Sequence, residues 1–134
     1  MSCIFCRIIN GEIPCYKLYE DDKAIAFLDV SQSTFGHTLV LPKEHVENIL
    51  SLDENLAGHL FSVATKISKK LNEILNPIGI NIINNNKEPL QSVMHFHIHL
   101  IPRYLNDELK ISFPNNYGKF KEEELTELIN KLKF

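Results

Sequence analysis

Histidines alternate with apolar residues near the end of the third quarter of the chain, and this pattern constrains the fold more than any other. Successive side chains of an extended strand point to opposite faces, so the spacing predicts a strand over 93–102 with His95, His97 and His99 on one face. The intervening apolar side chains must pack against a core. The other face then carries groups that act as nucleophiles, proton carriers or metal ligands near neutral pH. Function is therefore expected on this strand.

Further strands are predicted in the first two thirds of the chain. Short runs that are apolar, or that alternate as half-buried strands do, lie at residues 16–20, 23–29, 37–41 and 80–83. The first two runs are joined by Asp21-Asp22, which predicts a hairpin. Together with the histidine strand, these runs predict a five-stranded, mainly antiparallel sheet.

One long helix and two shorter helices accompany this sheet. Apolar residues recur at three- and four-residue intervals over 56–74, which indicates an amphipathic helix of about five turns. Ser51 and Glu54 have the spacing of a capping box, which predicts that this helix begins at Ser51. A short helix is expected over 4–10. A terminal helix is predicted by a last apolar stripe, formed by Leu125, Leu128, Ile129 and Leu132. The fold class is therefore α+β.

Composition excludes several classes of function. The 134 residues suit one domain, and apolar and charged fractions of 44% and 23% are typical of soluble globular proteins. A net charge of -3 argues against a surface that binds nucleic acid, and no apolar run approaches the length of a membrane span. The three cysteines, an odd number, suit a reducing compartment. A cytoplasmic protein that binds neither nucleic acid nor membrane is expected.

The histidine face has three interpretations. The central imidazole, His97, is a good nucleophile at phosphorus, and its neighbours His95 and His99 can hold its tautomer or donate to phosphate oxygens. Two histidines two residues apart on a strand also make a zinc chelate that lacks a third ligand. The simplest interpretation is a half-exposed strand with incidental histidines. Gln91 and Ser92 precede the strand and add an amide and a hydroxyl near the same place.

Cys3 and Cys6 form a second motif. Two thiolates at this spacing are a usual half-site for structural zinc, which needs two more ligands. His45, beyond the proline that ends a predicted strand, and one histidine of the 95–99 run are candidates. A redox role is less favoured, because no strand precedes the motif to place it at a helix N-terminus. The simplest alternative is a pair of small buried residues in a short helix, and Cys15 is expected to be buried.

Single polar residues elsewhere have structural interpretations beside functional ones. His37 shares a strand face with two leucines, so we expect it to point inward as a hydrogen-bonded core residue or as a partner that fixes a histidine tautomer. Asp29 ends an apolar strand, where a carboxylate usually caps a turn and can also chelate a vicinal diol. Asn84 lies in a run that is typical of turns first and of ligand contact second. His59 is expected to be exposed on the long helix.

Taken in order, these motifs resemble the histidine-triad (HIT) superfamily, and within it the Hint-like bacterial branch that begins Cys-x-x-Cys. The resemblance runs from Cys3 to about Tyr104 and rests on the segments 5–14, 19–22, 26–29, 36–43 and 91–99. It implies a single HIT-like domain over 1–134, with a variable tail at 105–134 that contains the terminal helix. It also implies a homodimer in which the two five-stranded sheets join into one.

The resemblance implies hydrolysis at the α-phosphorus of purine nucleoside phosphoramidates or related mononucleotide derivatives. His97 would be the nucleophile and form a nucleotidyl-histidine, with His99, His95 and His37 completing the catalytic set. His99 and Ser92 would contact the phosphate. The remaining site residues would be Asp29 on the ribose hydroxyls, Asn84 and Gln91 also lining the site, and an apolar base slot of Ile4, Phe5, Ile8, Phe27 and Val30.

A structural zinc ion is also implied by the resemblance. Its four protein ligands would be Cys3, Cys6, His45 and His95. Such an ion is closed to substrate and ties the N-terminal segment to the histidine strand, so no cofactor is required for the chemistry.

Pro89-Leu90 departs from the family pattern, which usually has small residues and a glycine before the glutamine. Glycine lets the backbone approach a phosphate closely, so the leucine bears on the donor geometry of this loop and on the choice of leaving group. Two alternatives to a nucleotidyl hydrolase stay open. One is a non-enzymatic nucleotide-binding or interaction protein of the same fold, and the other is a metal-dependent hydrolase that uses the three histidines as open-site ligands.

Overall fold

The computed structural model describes residues 3–134, which form an antiparallel sheet with three α-helices. The elements in chain order are α1 (Ile4–Ile9), β1 (Lys17–Glu20), β2 (Ala24–Leu28), β3 (Thr38–Pro42), α2 (Glu54–Leu75), β4 (Gly79–Ile83), β5 (Ile98–Arg103) and α3 (Glu122–Leu132). The strand order is β1-β2-β3-β5-β4, and every neighbouring pair is antiparallel. The α+β class and the five-stranded sheet predicted from the sequence are confirmed.

The sheet separates two apolar clusters. On one face α2 packs its buried side, including Leu60, Val63 and Ile67, against alternate residues of the central strands. On the other face, Phe5 of α1 packs against Phe27 and the neighbouring strand residues. Burial of both faces explains why β2, and β3 after Thr38, are continuously apolar rather than alternating.

The histidine strand is shorter than the sequence predicts. β5 begins at Ile98, so His95 and His97 lie in the segment before it. The ladder cannot extend further back because this segment bonds elsewhere. The backbone N–H of Phe96 donates to the carbonyl of Val46 at 2.7 Å. The side-chain amide of Asn84 donates to the carbonyl of His97 at 2.9 Å. The predicted separation of faces is retained: Phe96 and Ile98 belong to the α2 cluster, and His97 faces the other side.

The capping box predicted at Ser51 is wrong. Helix α2 begins two residues later, with Asp53 as its N-cap accepting from the backbone N–H of Leu56 at 3.1 Å. Ser51 instead ends a short 3-10 turn, where its hydroxyl donates to the carbonyl of Asn48. Serine and aspartate are both favourable N-cap residues. Asp53 is the N-cap here, because its backbone has the extended conformation that this position requires.

The C-terminal arm, residues 105–134, extends from the end of β5. Its helix α3 confirms the predicted terminal helix. The four residues of the apolar stripe stay between 49% and 59% exposed: Leu125, Leu128, Ile129 and Leu132. Among the residues described, no helix is both long and apolar enough to cross a bilayer.

His59 is another point of difference. It lies on α2 and is only partly exposed, because its Nε2 contacts the Asp21 carboxylate at 2.7 Å. This contact links the long helix to the turn between β1 and β2, an arrangement that helical spacing alone does not reveal.

Candidate active site and metal cluster

An open cavity of about 270 Å³ lies on the sheet face opposite α2. Its apolar wall includes the predicted base-slot residues Ile4, Phe5, Ile8, Phe27 and Val30. Its polar wall consists of Asp29, Ser92, His97 and His99. A mostly apolar pocket with a few convergent polar groups is typical of small-molecule sites.

His97 presents one unprotonated ring nitrogen to this cavity. Its Nδ1 lies 2.7 Å from the carbonyl oxygen of His95, and since a carbonyl only accepts, Nδ1 must carry the proton. Nε2 therefore keeps its lone pair. Burial lowers the pKa of His97 below its ordinary value, so the ring is neutral near pH 7. The Phe5 ring packs edge-on at 5.1 Å between centroids and restricts the imidazole further.

His99 is paired with His37 beneath the cavity. Nε2 of His37 lies 2.9 Å from Nδ1 of His99, so one hydrogen bond joins the two rings. Burial, helped by the neighbouring His97 and His37, lowers the pKa of His99 to about 4. His37 is 3% exposed, which places it inward as the sequence predicts. Both rings are therefore neutral at physiological pH.

Asp29 both caps a turn and faces the cavity. Its Oδ1 accepts from the backbone N–H and the hydroxyl of Ser31 at 2.8 and 2.7 Å, and its Oδ2 lies 3.8 Å from Nε2 of His37. Burial acts to raise the pKa of Asp29, but the Ser31 hydrogen bonds outweigh it and the pKa is lowered. The carboxylate is thus charged, with Oδ2 less engaged than Oδ1.

Gln91 and Asn84 are not brought to the cavity wall. The Gln91 side chain is 2% exposed and donates to the carbonyls of Glu47 and Val93 at 2.6 and 3.0 Å. Its Oε1 accepts from the backbone N–H of Lys87. Both amides therefore brace the segments beside the site instead of facing into it.

Other residues of the wall escaped the sequence analysis. They are Ile13, Pro14, Cys15, Leu28, Leu39 and Val93. Two of them could have been predicted. Leu39 and Val93 are each two residues from a candidate histidine (His37 and His95), and residues two apart on an extended strand share a face. Leu90, which departs from the family pattern, is 72% exposed and does not line the cavity.

A separate cluster brings together Cys3, Cys6, His45 and His95, whose ligand atoms all lie within 4.8 Å of one another. Nδ1 of His95 is 3.5 Å from the Cys3 sulfur and 3.6 Å from the Cys6 sulfur. Nδ1 of His45 is 3.3 Å from the Cys6 sulfur and 3.2 Å from Nδ1 of His95. The ligand atoms of one tetrahedral zinc ion lie roughly 3.3 to 3.8 Å apart, so these separations suit zinc.

The tautomer of His95 also suits a metal. Its Nε2 lies 2.8 Å from the carbonyl oxygen of Pro42 and so must carry the proton, which leaves the lone pair on Nδ1 facing the two cysteines. Cys3 is the N-cap of α1, and its sulfur accepts from the Cys6 backbone N–H at 3.4 Å. The first turn of α1 thus presents both thiols to one point.

Comparison with known proteins identifies the family. A model of the HIT domain matches residues 10–106. The chain belongs to the HIT family. It is 43% identical over 133 residues to Protein hit of Bacillus subtilis, covering 98% of this chain and 92% of that one. It is 38% identical over 104 residues to an adenosine 5'-monophosphoramidase of Schizosaccharomyces pombe, covering 77% of this chain and 75% of that one.

Solved HIT structures share the fold. A HIT family protein from Bacillus anthracis has a TM-score of 0.93 at 45% identity, covering 98% of this chain and 94% of that one. A Zn-bound histidine triad family protein from Mycobacterium smegmatis has a TM-score of 0.77 at 32% identity, with 98% of each chain covered.

Proposed function

We propose that this HIT protein hydrolyses purine nucleoside phosphoramidates or related mononucleotide derivatives at the α-phosphorus, through a nucleotidyl-histidine on His97. The observation that carries the proposal is the neutral His97 ring, whose unprotonated Nε2 borders a mostly apolar cavity with a few convergent polar groups. The similarity to a relative named adenosine 5'-monophosphoramidase supports the substrate class.

The cavity offers a place for each part of a nucleotide. The apolar wall from α1 and β2 suits a flat purine base, and Phe5 and Phe27 meet there edge-on at 5.8 Å between centroids. Oδ2 of Asp29, beside this wall, is an acceptor for the ribose hydroxyls. Ser92 and His99 lie by His97 on the polar wall and are donors for phosphate oxygens.

The reaction then proceeds in two displacements. Nε2 of His97 bonds to the α-phosphorus, and the bond to the leaving amine breaks as the amine nitrogen takes up a proton from bulk water. Water next attacks the phosphorus, the bond to Nε2 breaks, and one water proton returns to the solvent. The carbonyl of His95, which holds the Nδ1–H of His97, stabilises the positive charge that the ring gains in the intermediate.

Zinc is proposed as a structural ion at the four-residue cluster. The ligand separations and the His95 tautomer support it, as does the similarity to a Zn-bound relative. Such an ion fastens the start of α1 to the segments that carry His45 and His95. The four protein ligands close its coordination shell, so His97 and His99 are left free for the nucleotide.

A homodimer is proposed as the assembly. The apolar stripe of α3 is half exposed in the single chain, and β4 is an edge strand of the sheet. Both features are those of surfaces that a second copy covers.

The decisive experiment replaces the nucleophile. His97→Ala is expected to abolish release of adenosine monophosphate from adenosine 5'-phosphoramidate, while mass spectrometry of wild-type protein quenched during turnover should show a mononucleotide on His97. His59→Ala is the matched control, because His59 pairs with Asp21 outside the cavity. Circular dichroism checks that both variants fold.

Other outcomes would identify a different function. An unchanged rate in His97→Ala would remove the nucleophile assignment. Tight nucleotide binding by wild-type protein without turnover or adduct would favour a binding protein. Loss of the chemical step on chelation, in protein that stays folded, would favour a metal-dependent hydrolase.

A further inference from the structure

The loop between β2 and β3 is organised around the side chain of Gln32. Gln32 has a left-handed backbone with φ of 43°, which residues other than glycine seldom adopt. Its Nε2 donates to the carbonyls of Asp29 and His37, each at 2.7 Å, and its Oε1 accepts from the Gly36 N–H at 2.8 Å. One amide therefore bonds to three backbone groups of the same loop and holds its shape.

This loop shape directs a backbone donor at His37. The N–H of Ser33 donates to Nδ1 of His37 at 3.2 Å. A neutral imidazole has one N–H, so a ring that accepts at Nδ1 carries its proton on Nε2. That proton points at Nδ1 of His99, 2.9 Å away, which must accept. The proton of His99 is then on its own Nε2.

The consequence reaches the cavity wall. Among the hydrogen bonds of the described residues, Nε2 of His99 has no protein partner, and His99 lines the cavity beside His97. An N–H at this position is a donor for a phosphate oxygen, whereas the opposite tautomer would present a lone pair and repel it.

We infer that Gln32 is a positioning residue, which holds the Ser33 N–H on His37 and thereby fixes the tautomers that aim the Nε2–H of His99 at the substrate phosphate. The inference rests on the proposed function and extends it to a side chain outside the site. Burial lowers the pKa of both His37 and His99, so both rings are neutral and the order of their protons matters.

The same proton argues against a metal ion at this place. The ligand atoms of Asp29, His37 and His99 lie within 4.8 Å of one another, as those of a metal site do. A protonated Nε2 on His37 has no lone pair for a metal. A metal there would require Nδ1–H of His37 to face the N–H of Ser33, two donors at 3.2 Å.

Two substitutions test the inference. Gln32→Gly keeps the left-handed backbone but removes the amide, and Gln32→Glu keeps the length and the acceptor but cannot donate to the two carbonyls. Asn76→Gly is the matched control: Asn76 is also left-handed, with φ of 48°, and lies at the end of α2 away from the cavity.

Two readouts are taken on the full-length, zinc-loaded protein. Nitrogen NMR of the histidine rings is expected to show protonated Nε2 on His37 and His99 in the wild type and a mixture of tautomers in both Gln32 variants. The kcat for adenosine 5'-phosphoramidate should fall roughly ten- to hundredfold while KM changes little, because the donor to the reacting phosphate is lost. Asn76→Gly should match the wild type in both.

The outcomes separate a failure of this inference from a failure of the proposed function. Wild-type tautomers and wild-type kcat in a folded Gln32→Gly protein would overturn the inference, as would an equal loss of kcat in Asn76→Gly. If the wild type proves inactive, the proposed function fails, and the tautomer pattern of the Gln32 variants alone decides the positioning role.

Discussion

In each histidine of the alternating run, the hydrogen-bond partner of one ring nitrogen determines whether the other ring nitrogen carries a proton or a lone pair. His95 donates from Nε2 to a carbonyl and so turns a lone pair towards the cysteines. His97 donates from Nδ1 and so turns a lone pair towards the cavity. Because His37 accepts from the Ser33 N–H, its own N–H faces Nδ1 of His99, and we infer that His99 turns a proton outward. Three like residues thus suit the three roles proposed for them: metal ligand, nucleophile and donor.

The low pKa of His99 predicts a pH-dependent stability. Its pKa is about 4 in the folded protein against 6.5 ordinarily, so the folded state binds fewer protons and stability is lost as the pH falls from 6.5 towards 4. His99→Gln removes this contribution. The free energy of unfolding in urea should fall less steeply for the variant, by at most about 3 kcal/mol between pH 7 and 4.

Any release of the proposed zinc in acid would affect both proteins alike and cancel in this comparison, because the four proposed ligands are unchanged in the variant. Parallel curves of unfolding free energy against pH would contradict the prediction.

At the level of secondary structure, chain patterns predict faces better than boundaries. The alternation around His97 correctly predicts which side chains meet α2, because facing depends only on the local backbone. The same alternation predicts a strand that starts too early, because the start of β5 depends on which backbone groups pair with the neighbouring strands. Val46 and Asn84, which bond to the segment before Ile98, are distant in sequence.

Helix α2 offers a test of the corrected cap. Asp53→Ala is expected to lower the free energy of unfolding by about 1 kcal/mol, because the Leu56 N–H loses its acceptor. Ser51→Ala should change it by less than about 0.5 kcal/mol, since Ser51 lies before the helix. Urea unfolding measures both, and the reverse order would restore the capping box at Ser51.

Across the whole molecule, the proposed zinc site and the proposed nucleotide cavity share helix α1. The helix follows the Cys3 cap, and its residues Ile4, Phe5 and Ile8 line the apolar wall. The Phe5 ring contacts both His95 and His97, at 5.9 and 5.1 Å between centroids. Loss of the proposed zinc ion should therefore impair binding of the base more than it impairs the chemical step.

Cys6→Ser is expected to lose zinc and to lower the free energy of unfolding by several kcal/mol, because metal binding and folding are coupled. In protein that remains folded, KM should rise about tenfold, with a smaller change in kcat. Cys15→Ser, which changes a thiol outside the cluster, should retain the zinc. Metal analysis, thermal unfolding and steady-state kinetics test this, and unchanged zinc content in Cys6→Ser would contradict it.

The C-terminal arm permits a test of the assembly. Replacing Leu125 and Ile129 by glutamate puts charges into the apolar stripe, and the dissociation constant of the proposed dimer should rise at least about tenfold, by roughly 1.4 kcal/mol. Lys131→Gln, on a residue that pairs with Glu127 at 3.2 Å, is the control. Sedimentation analysis gives the result: a monomeric wild type would refute the dimer, and an unaltered constant would place the stripe outside the interface.

The sequence by itself determined the element types, the two faces of the histidine run and the family, because these depend on spacing between near neighbours. Spacing left open which histidines join the two cysteines, and the family resemblance named His45; the tertiary structure brings its Nδ1 to 3.3 Å from the Cys6 sulfur. Only the tertiary structure decided that Gln91 braces a loop. It also decided the proton positions on His37, His95, His97 and His99. The physical reason is that a ligand set or a tautomer is fixed by the atoms opposite it, and folding brings those atoms from distant parts of the chain.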